Sequence, residues 1–270
     1  MPLNLKNALI KLHRIISTQL GLDPVLLIRS LRALPRYLRD FIAFRRTSHV
    51  LMRFSPCLQD RHEEGGSTKS EYFWQDLLVA RAIHAAMPKK HVDIGSRVDG
   101  FVAHVASFRE IEVFDVRPIK KRIPGVTFRQ TDFMSSDSSR DGIRTSYCDS
   151  VSCLHALEHF GLGRYGDEVN PDGFRLGLEN IAKLLEIGGT FYLSVPIGIE
   201  RVEFNANWIF DPRTVLSLAD NNGLSLLQFV IISSGHNVSE VIVSERVLSD
   251  LAAVPYTLGL FTFKKTRLVR

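Results

Sequence analysis

Residues 149–167 read DSVSCLHALEHFGLGRYGD. The run opens as a strand. It then passes through His155, Glu158 and His159, and ends in a loop where Gly161, Gly163 and Gly166 are interleaved with Arg164, Tyr165 and Asp167. If the chain turns helical after Leu154, the positions i, i+3 and i+4 share one face. The letters also spell H-x-x-E-H, a zinc-protease pattern, but that site needs a long helix and a distant third ligand. Here a buried strand precedes the triplet, and Gly161 follows two residues later. Three readings of the triplet stay open: a general base, a divalent-metal site, and a helix cap bracing the loop. A neutral imidazole, with an ordinary pKa of about 6.5, suits proton removal from a hydroxyl. In the loop the glycines serve turns with positive φ, Arg164 can grip a phosphate or carboxylate, and Tyr165 and Asp167 can bond sugar hydroxyls.

Around this run strand and helix patterns alternate, the sign of a parallel sheet covered on both faces. Residues 91–95, 111–116, 126–131, 147–154, 190–195, 224–232 and 258–264 read as strands. Residues 70–87, 99–108 and 174–187 read as helices, the last closed by Gly188-Gly189, and Asp211-Pro212 opens another that Gly223 closes. Residues 239–251 fit either element. Upstream, 5–20 reads as a helix ended by Gly21. Asp23-Pro24 caps a second helix that Pro35 breaks, and a basic helix over 36–46 follows. The polar run 59–69 reads as a linker, giving an N-terminal arm over 1–65 and a main domain over 66–270.

The 270 residues carry 34 Lys and Arg against 29 Asp and Glu, and the imbalance is local. Residues 1–53 hold ten bases and two acids, while the rest is slightly acidic. Such an arm reads as a solvated helical face, a lid over an acceptor site, or an amphipathic attachment to an anionic membrane surface. Nucleic acid fits less well, because few basic and aromatic residues interleave outside the arm. Three cysteines without a C-x-x-C pair fit reduced, cytoplasmic usage, peripheral at the inner membrane face if the arm attaches there. Lys6, Lys11 and Arg14 break up any signal-peptide core, and no apolar run reaches the roughly 18 residues of a membrane span.

Three strand ends carry acids. Residues 92–100, VDIGSRVDG, form a strand, a glycine turn and a helix start. The dinucleotide fingerprint G-x-G-x-x-G is not met, since Arg97 stands at its second glycine. Asp93, two residues before Gly95, would repel a pyrophosphate and suits a ligand bearing an ammonium and a sulfonium, such as S-adenosylmethionine. Asp115, 20 residues after Gly95, can accept both hydroxyls of a ribose. Asp132 can accept from an adenine amino group, with Phe133 over the ring. Each acid alone is equally a cap or turn residue, but ligands of open α/β sheets bind along this edge. After the fifth strand, residues 194–207 (SVPIGIERVEFNAN) place Asn205 on an acceptor-binding rim or in an irregular loop packed by its aromatics.

The order VDIGSR, FDVRP, TDF, DSVSCLHALEHFG and GGTFYLSVPIG resembles the Rossmann-like class I S-adenosylmethionine-dependent methyltransferases over about 70–265. SCLHALEHFGLGRYGD with PIGIERVEFNAN resembles a domain-of-unknown-function family of that superfamily, associated with glycan assembly. The resemblance implies a Rossmann-like methyltransferase sheet, here preceded by the basic helical arm, and cofactor contacts at Asp93, Gly95, Asp115 and Asp132, with Ser96 and Phe133 as further cofactor candidates from the residues themselves. It implies His155, Glu158 and His159 in the active site, with a divalent metal there in some members. Together with the loop and rim residues, this leads us to expect O-methylation of a sugar, nucleotide sugar or glycan, with the acceptor at Arg164, Tyr165, Asp167 and Asn205. The chain departs from D-x-G-x-G-x-G at Arg97 and Asp99, with Gly100 one place late, which leaves a non-catalytic binding module of the same fold as the alternative.

Overall fold

A computed structural model describes residues 13, 16–17, 21–60, 66–135, 145–233 and 237–269. The chain divides into two compact units, 1–67 and 68–270. In the first, Asp23 caps a helix, α1 (Pro24–Thr47), by accepting from the amides of Val25 and Leu26. Pro35 lies inside α1 instead of breaking it. An interior proline deprives the carbonyl four residues earlier of its partner and crowds it, yet the helix continues through Pro35 to Thr47. Apart from residues 13, 16 and 17, the helix expected over 5–20 lies outside the described residues, as do 61–65 of the expected linker. Among the described residues no helix is long and apolar enough to cross a membrane.

The second unit is a Rossmann-like α/β sheet. Its elements are α2 (Glu71–Ala86), β1 (His91–Ile94), a wide helical turn (Val98–Val102) leading into α3 (Ala103–Ala106), β2 (Ile111–Asp115), β3 (Val126–Gln130) and β4 (Cys148–Leu154). A short 3-10 turn (Leu157–His159) follows. Then come α4 (Gly173–Leu184), β5 (Leu185–Ile197), the hairpin β6 (Arg201–Glu203) and β7 (Asn207–Ile209), α5 (Pro212–Asn221), β8 (Leu224–Ile232), β9 (Val238–Glu240), α6 (Glu245–Ala252) and β10 (Thr257–Lys265). The sheet order is β3-β2-β1-β4-β5-β10-β8-β9. The first five strands are parallel, and β10 inserts antiparallel between β5 and β8. The order reverses at β1–β4, the switch point where open α/β sheets bind ligands.

Both faces are covered. On one, Leu178 and Ile181 of α4, Val215 of α5 and Leu248 of α6 pack on Val92, Val151, Phe191 and Leu193. On the other, Val79 and Ile83 of α2 and Val105 of α3 pack on Ile111, Val113 and Leu154. At its centre this second face is polar: His91, Asp93, Ser150, Ser152 and Ser194 are all buried. They stand at alternating positions of β1, β4 and β5, so the pleat brings them to one side.

Three elements differ from the sequence reading. Helix α4 stops at Leu184 and β5 begins at once, because the carbonyls of Lys183 and Leu184 accept from the amides of Ser146 and Tyr147. The Gly188-Gly189 pair therefore lies inside β5. The helix after β1 opens as a wide turn with Gly100 non-helical, where a Cβ would stand 2.6 Å from Asp76 Oδ2. Residues 239–251 resolve into the end of β9 and most of α6.

Leu178 is fully buried between α4 and the sheet. Leu178→Ala should cost about 2–5 kcal/mol, the usual range for such a cavity. Val202→Ala, at a position 39% exposed, should stay within about 0.5 kcal/mol. Urea unfolding of the two variants checks this, and equal costs would place Leu178 outside the core.

Candidate functional site at the carboxyl edge of the sheet

The edge is built outward from Asp93, whose side chain is completely buried. One carboxylate oxygen accepts from the hydroxyls of Ser96 and Ser152, both at 2.6 Å, and the other from the Ser96 amide at 3.0 Å. Ser96 Oγ also accepts from the Leu154 amide. Ser152, having donated to Asp93, accepts from Nε2 of His91, whose Nδ1 accepts from Ser150. Burial, then the Arg109 charge, holds His91 neutral, with its pKa lowered to about 3. Burial, opposed by these hydrogen bonds, lifts Asp93 to about 7. The Asp93 carboxylate is turned into the sheet and ties the end of β1 to that of β4. Ser96 is spent in the same knot. Gly95, at φ +72°, lies so close to the β4 loop that a Cβ would stand 2.9 Å from Cβ of Ala156.

At the end of β2, Asp115 is 9% exposed and pairs with Arg117, whose Nη2 reaches one oxygen at 2.6 Å while Nε reaches the other at 3.0 Å. The same Nη2 lies 3.4 Å from the Gly95 carbonyl. At the end of β3, half-buried Asp132 accepts from the Met134 amide. Phe133, expected over a ligand ring, is 3% exposed and packs edge-on against Phe114. It is a core residue.

Beyond β4 the two histidines differ sharply. His155 adopts positive φ, and its amide donates to the carbonyl and hydroxyl oxygens of Ser194. Its imidazole lies tilted against the Tyr72 ring, with Nδ1 2.7 Å from Glu158 Oε1 and Nε2 3.3 Å from Glu71 Oε1, the latter an ion-pair contact without hydrogen-bond alignment. Burial alone would lower its pKa, but attraction to Glu158 and Glu71 prevails and lifts it to about 9. Raised in this way, His155 favours the imidazolium form at neutral pH. His159 is held below its ordinary pKa, by burial first, despite the pull of Glu158. Its Nδ1 donates to the Ala206 carbonyl at 2.7 Å, which leaves the Nε2 lone pair of the neutral ring available.

Glu158 is fully buried, and its Oε2 has no hydrogen-bond partner. Among the described residues no three His, Cys, Asp or Glu side chains are placed to hold a metal ion. The triplet bonds to itself, to Glu71 and to Ala206 instead.

Asp167, expected to meet an acceptor, organises the loop: it accepts from the amides of Gly161, Gly163 and Tyr165. The Tyr165 ring lies under the guanidinium groups of Arg117 and Arg164, at 4.5 and 5.2 Å, with its edge toward His159. Arg164 donates to the Ala206 carbonyl that also holds His159. Exposed Asn205 is next to Ala206 at the β6–β7 tip. His159, Arg164, Tyr165 and Asn205 are thus brought together, whereas Asp93, Phe133 and Asp167 are withdrawn.

Sequence reasoning missed Glu71, Tyr72, Arg117 and Tyr256. Glu71 accepts from Tyr256 Oη at 2.5 Å. Burial first, then the charges of Glu158 and Glu71, raises Tyr72 to about 12. Arg117 is visible in FDVRP, two residues past the acid it neutralises. The other three are remote in sequence from residue 155.

The family described as "Caenorhabditis protein of unknown function, DUF268" matches residues 129–224. No curated protein matches the chain. Among solved structures the fold is similar to the N-methyltransferase NodS from Bradyrhizobium japonicum WM9 in complex with S-adenosyl-L-homocysteine, at 14% identity and TM-score 0.49, covering 78% of this chain and 94% of that one. It is also similar to the Burkholderia thailandensis 1,6-didemethyltoxoflavin-N1-methyltransferase, at 13% identity and TM-score 0.47, covering 72% and 80%.

The raised pKa of His155 carries a stability signature. Its ion pairs are fully present below the unfolded pKa of about 6.5 and are lost as pH rises through about 9. Stability should fall across that window, by at most about 1.4 kcal/mol per pH unit. His155→Gln should flatten this slope. Urea unfolding at stepped pH tests it, and an unchanged slope in the variant would show that the imidazolium pair is absent.

Proposed function

We propose that the chain is an S-adenosylmethionine-dependent methyltransferase acting on an oxygen of a sugar, nucleotide sugar or glycan. The observation that carries this reading is the carboxyl edge at the β1–β4 switch point: a glycine turn at positive φ flanked by Asp115 and Asp132 at the next two strand ends. A nucleoside presents hydroxyl and amino donors, and these are acceptor groups. Gly95 lets the turn approach closely, so the residues present fit the nucleoside part of the cofactor. When bound, the cofactor supplies an electrophilic methyl group. Asp115 would accept from ribose hydroxyls once Arg117 swings away, and Asp132 from the adenine amino group. His159 Nε2 would take the acceptor hydroxyl proton, with Nδ1–H fixed on the Ala206 carbonyl and the ring kept neutral. Arg164 and Tyr165 form the acceptor side, suited to an anionic or hydroxyl-rich group, and Asn205 flanks it.

A second reading, a non-catalytic module of the same fold, is favoured by one observation: Arg117 occupies Asp115 and reaches over the Gly95 carbonyl. Calorimetry separates the two. S-adenosylmethionine should bind, Asp115→Asn should weaken it by about tenfold or more, as expected for losing charged hydrogen bonds, and Arg117→Ala should tighten it. His159→Ala should retain binding but lose methyl transfer across a panel of nucleotide sugars. No heat at millimolar cofactor, for both the native chain and Arg117→Ala, would overturn the enzyme reading.

A further inference from the structure

Helix α1 carries six arginines and one acid, Asp40. Arg29, Arg32, Arg36 and Arg39 follow i, i+3, i+7, i+10 spacing and so form one row along the helix. Leu27, Leu31, Leu38 and Ile42 follow i, i+4, i+11, i+15 and form a second, neighbouring row. No residue of α1 is buried, and these four apolar side chains are 61%, 60%, 41% and 51% exposed. A third face of α1 is already covered within the same unit. Phe54 packs edge-on against the rings of Tyr37 and Phe41, the Ser55 amide donates to Tyr37 Oη, and Gln59 bonds Ser30. The segment after α1 thus returns along one side and leaves the leucine row open beside the arginine row.

We propose that this face of α1 lies in the surface of an anionic lipid bilayer. A leucine row bordered by arginines is the geometry in which apolar side chains enter the acyl boundary. The long arginine stems then lie along it, with their guanidinium groups at the phosphates. Charge complementarity selects the lipid. Asp40 contacts Arg36 and Arg39, at 3.4 and 3.2 Å, and is the one acid in the helix. Its neighbours Arg29 and Arg32, with Arg45 and Arg46 in the last turn, keep the helix strongly positive. Single-stranded nucleic acid would need aromatic faces interleaved with the arginine row, and that row is bordered instead by exposed Leu27, Leu31, Leu38 and Ile42. The inference is independent of the proposed chemistry and places the enzyme at a membrane face rather than assigning a substrate.

Co-sedimentation of the full chain with vesicles tests it, using phosphatidylcholine alone and phosphatidylcholine with one third phosphatidylglycerol. Binding should be about tenfold or more stronger to the anionic vesicles, given several basic groups at the surface, and should weaken with added salt. Leu31→Asp with Leu38→Asp should abolish it, and Arg32→Glu with Arg36→Glu should remove the preference for anionic lipid. Thermal unfolding of the second unit should stay unchanged in both double variants. No binding to anionic vesicles at low salt would overturn the proposal. So would equal binding to both vesicle types, or loss of a dimer instead of vesicle binding in Leu31→Asp with Leu38→Asp. Oligonucleotide binding lost in the arginine variant, without vesicle binding in the native chain, would overturn it too.

Discussion

The buried carboxylate of Asp93 is the constraint on which the carboxyl edge depends. Burying a carboxyl group is costly unless it is fully bonded, and here three donors surround it. Two of them, both on Ser96, close the turn after β1, and the third, Ser152, belongs to β4. The knot therefore sets where Gly95 sits and how closely Ala156 approaches it. From Ser152 the chain of bonds runs back through His91 to Ser150, so the centre of the sheet has a polar spine on the α2 side and an apolar one on the other.

Upon that frame stand two histidines four residues apart with opposite electrostatics. His155 lies between two carboxylates and carries a charge. His159 is held neutral, with one nitrogen committed to a carbonyl. Pairs of titratable groups driven apart by their surroundings mark sites where one group positions and the other exchanges protons. Here His155 is fixed between Glu158 and Glu71, while His159 is held by the Ala206 carbonyl, which is why His159 is the proposed base.

Much of the sheet was legible because its strands are apolar runs bounded by Gly, Pro and Asp, and because helix patterns separate them. The boundary after α4 was not, since its last carbonyls are satisfied by residues 146 and 147, nearly forty positions earlier. The inward bonding of Asp93 was hidden for a different reason. A carboxylate at a strand end has the same letter whether it faces a ligand or the sheet. The alternation of His91 and Asp93 against Ser150 and Ser152 was the available signal, because four polar residues at period two on two central strands must share a face. Glu71, Tyr72 and Tyr256 had no local signal, since only the packed fold brings α2 and β10 to His155. The loop glycines were read as turn formers and take positive φ, whereas the three bonds of Asp167 to amides of its own loop left no mark in the sequence.

The most direct measurement is a crystal structure of the chain grown with S-adenosylhomocysteine. The nucleoside should lie on the Gly95 turn with its ribose hydroxyls on Asp115 and Arg117 displaced. Asp93 should remain bonded to Ser96 and Ser152, and His159 Nδ1 to Ala206. A nucleoside bound elsewhere, with the Arg117–Asp115 pair intact, would contradict the assignment of this edge as the cofactor site.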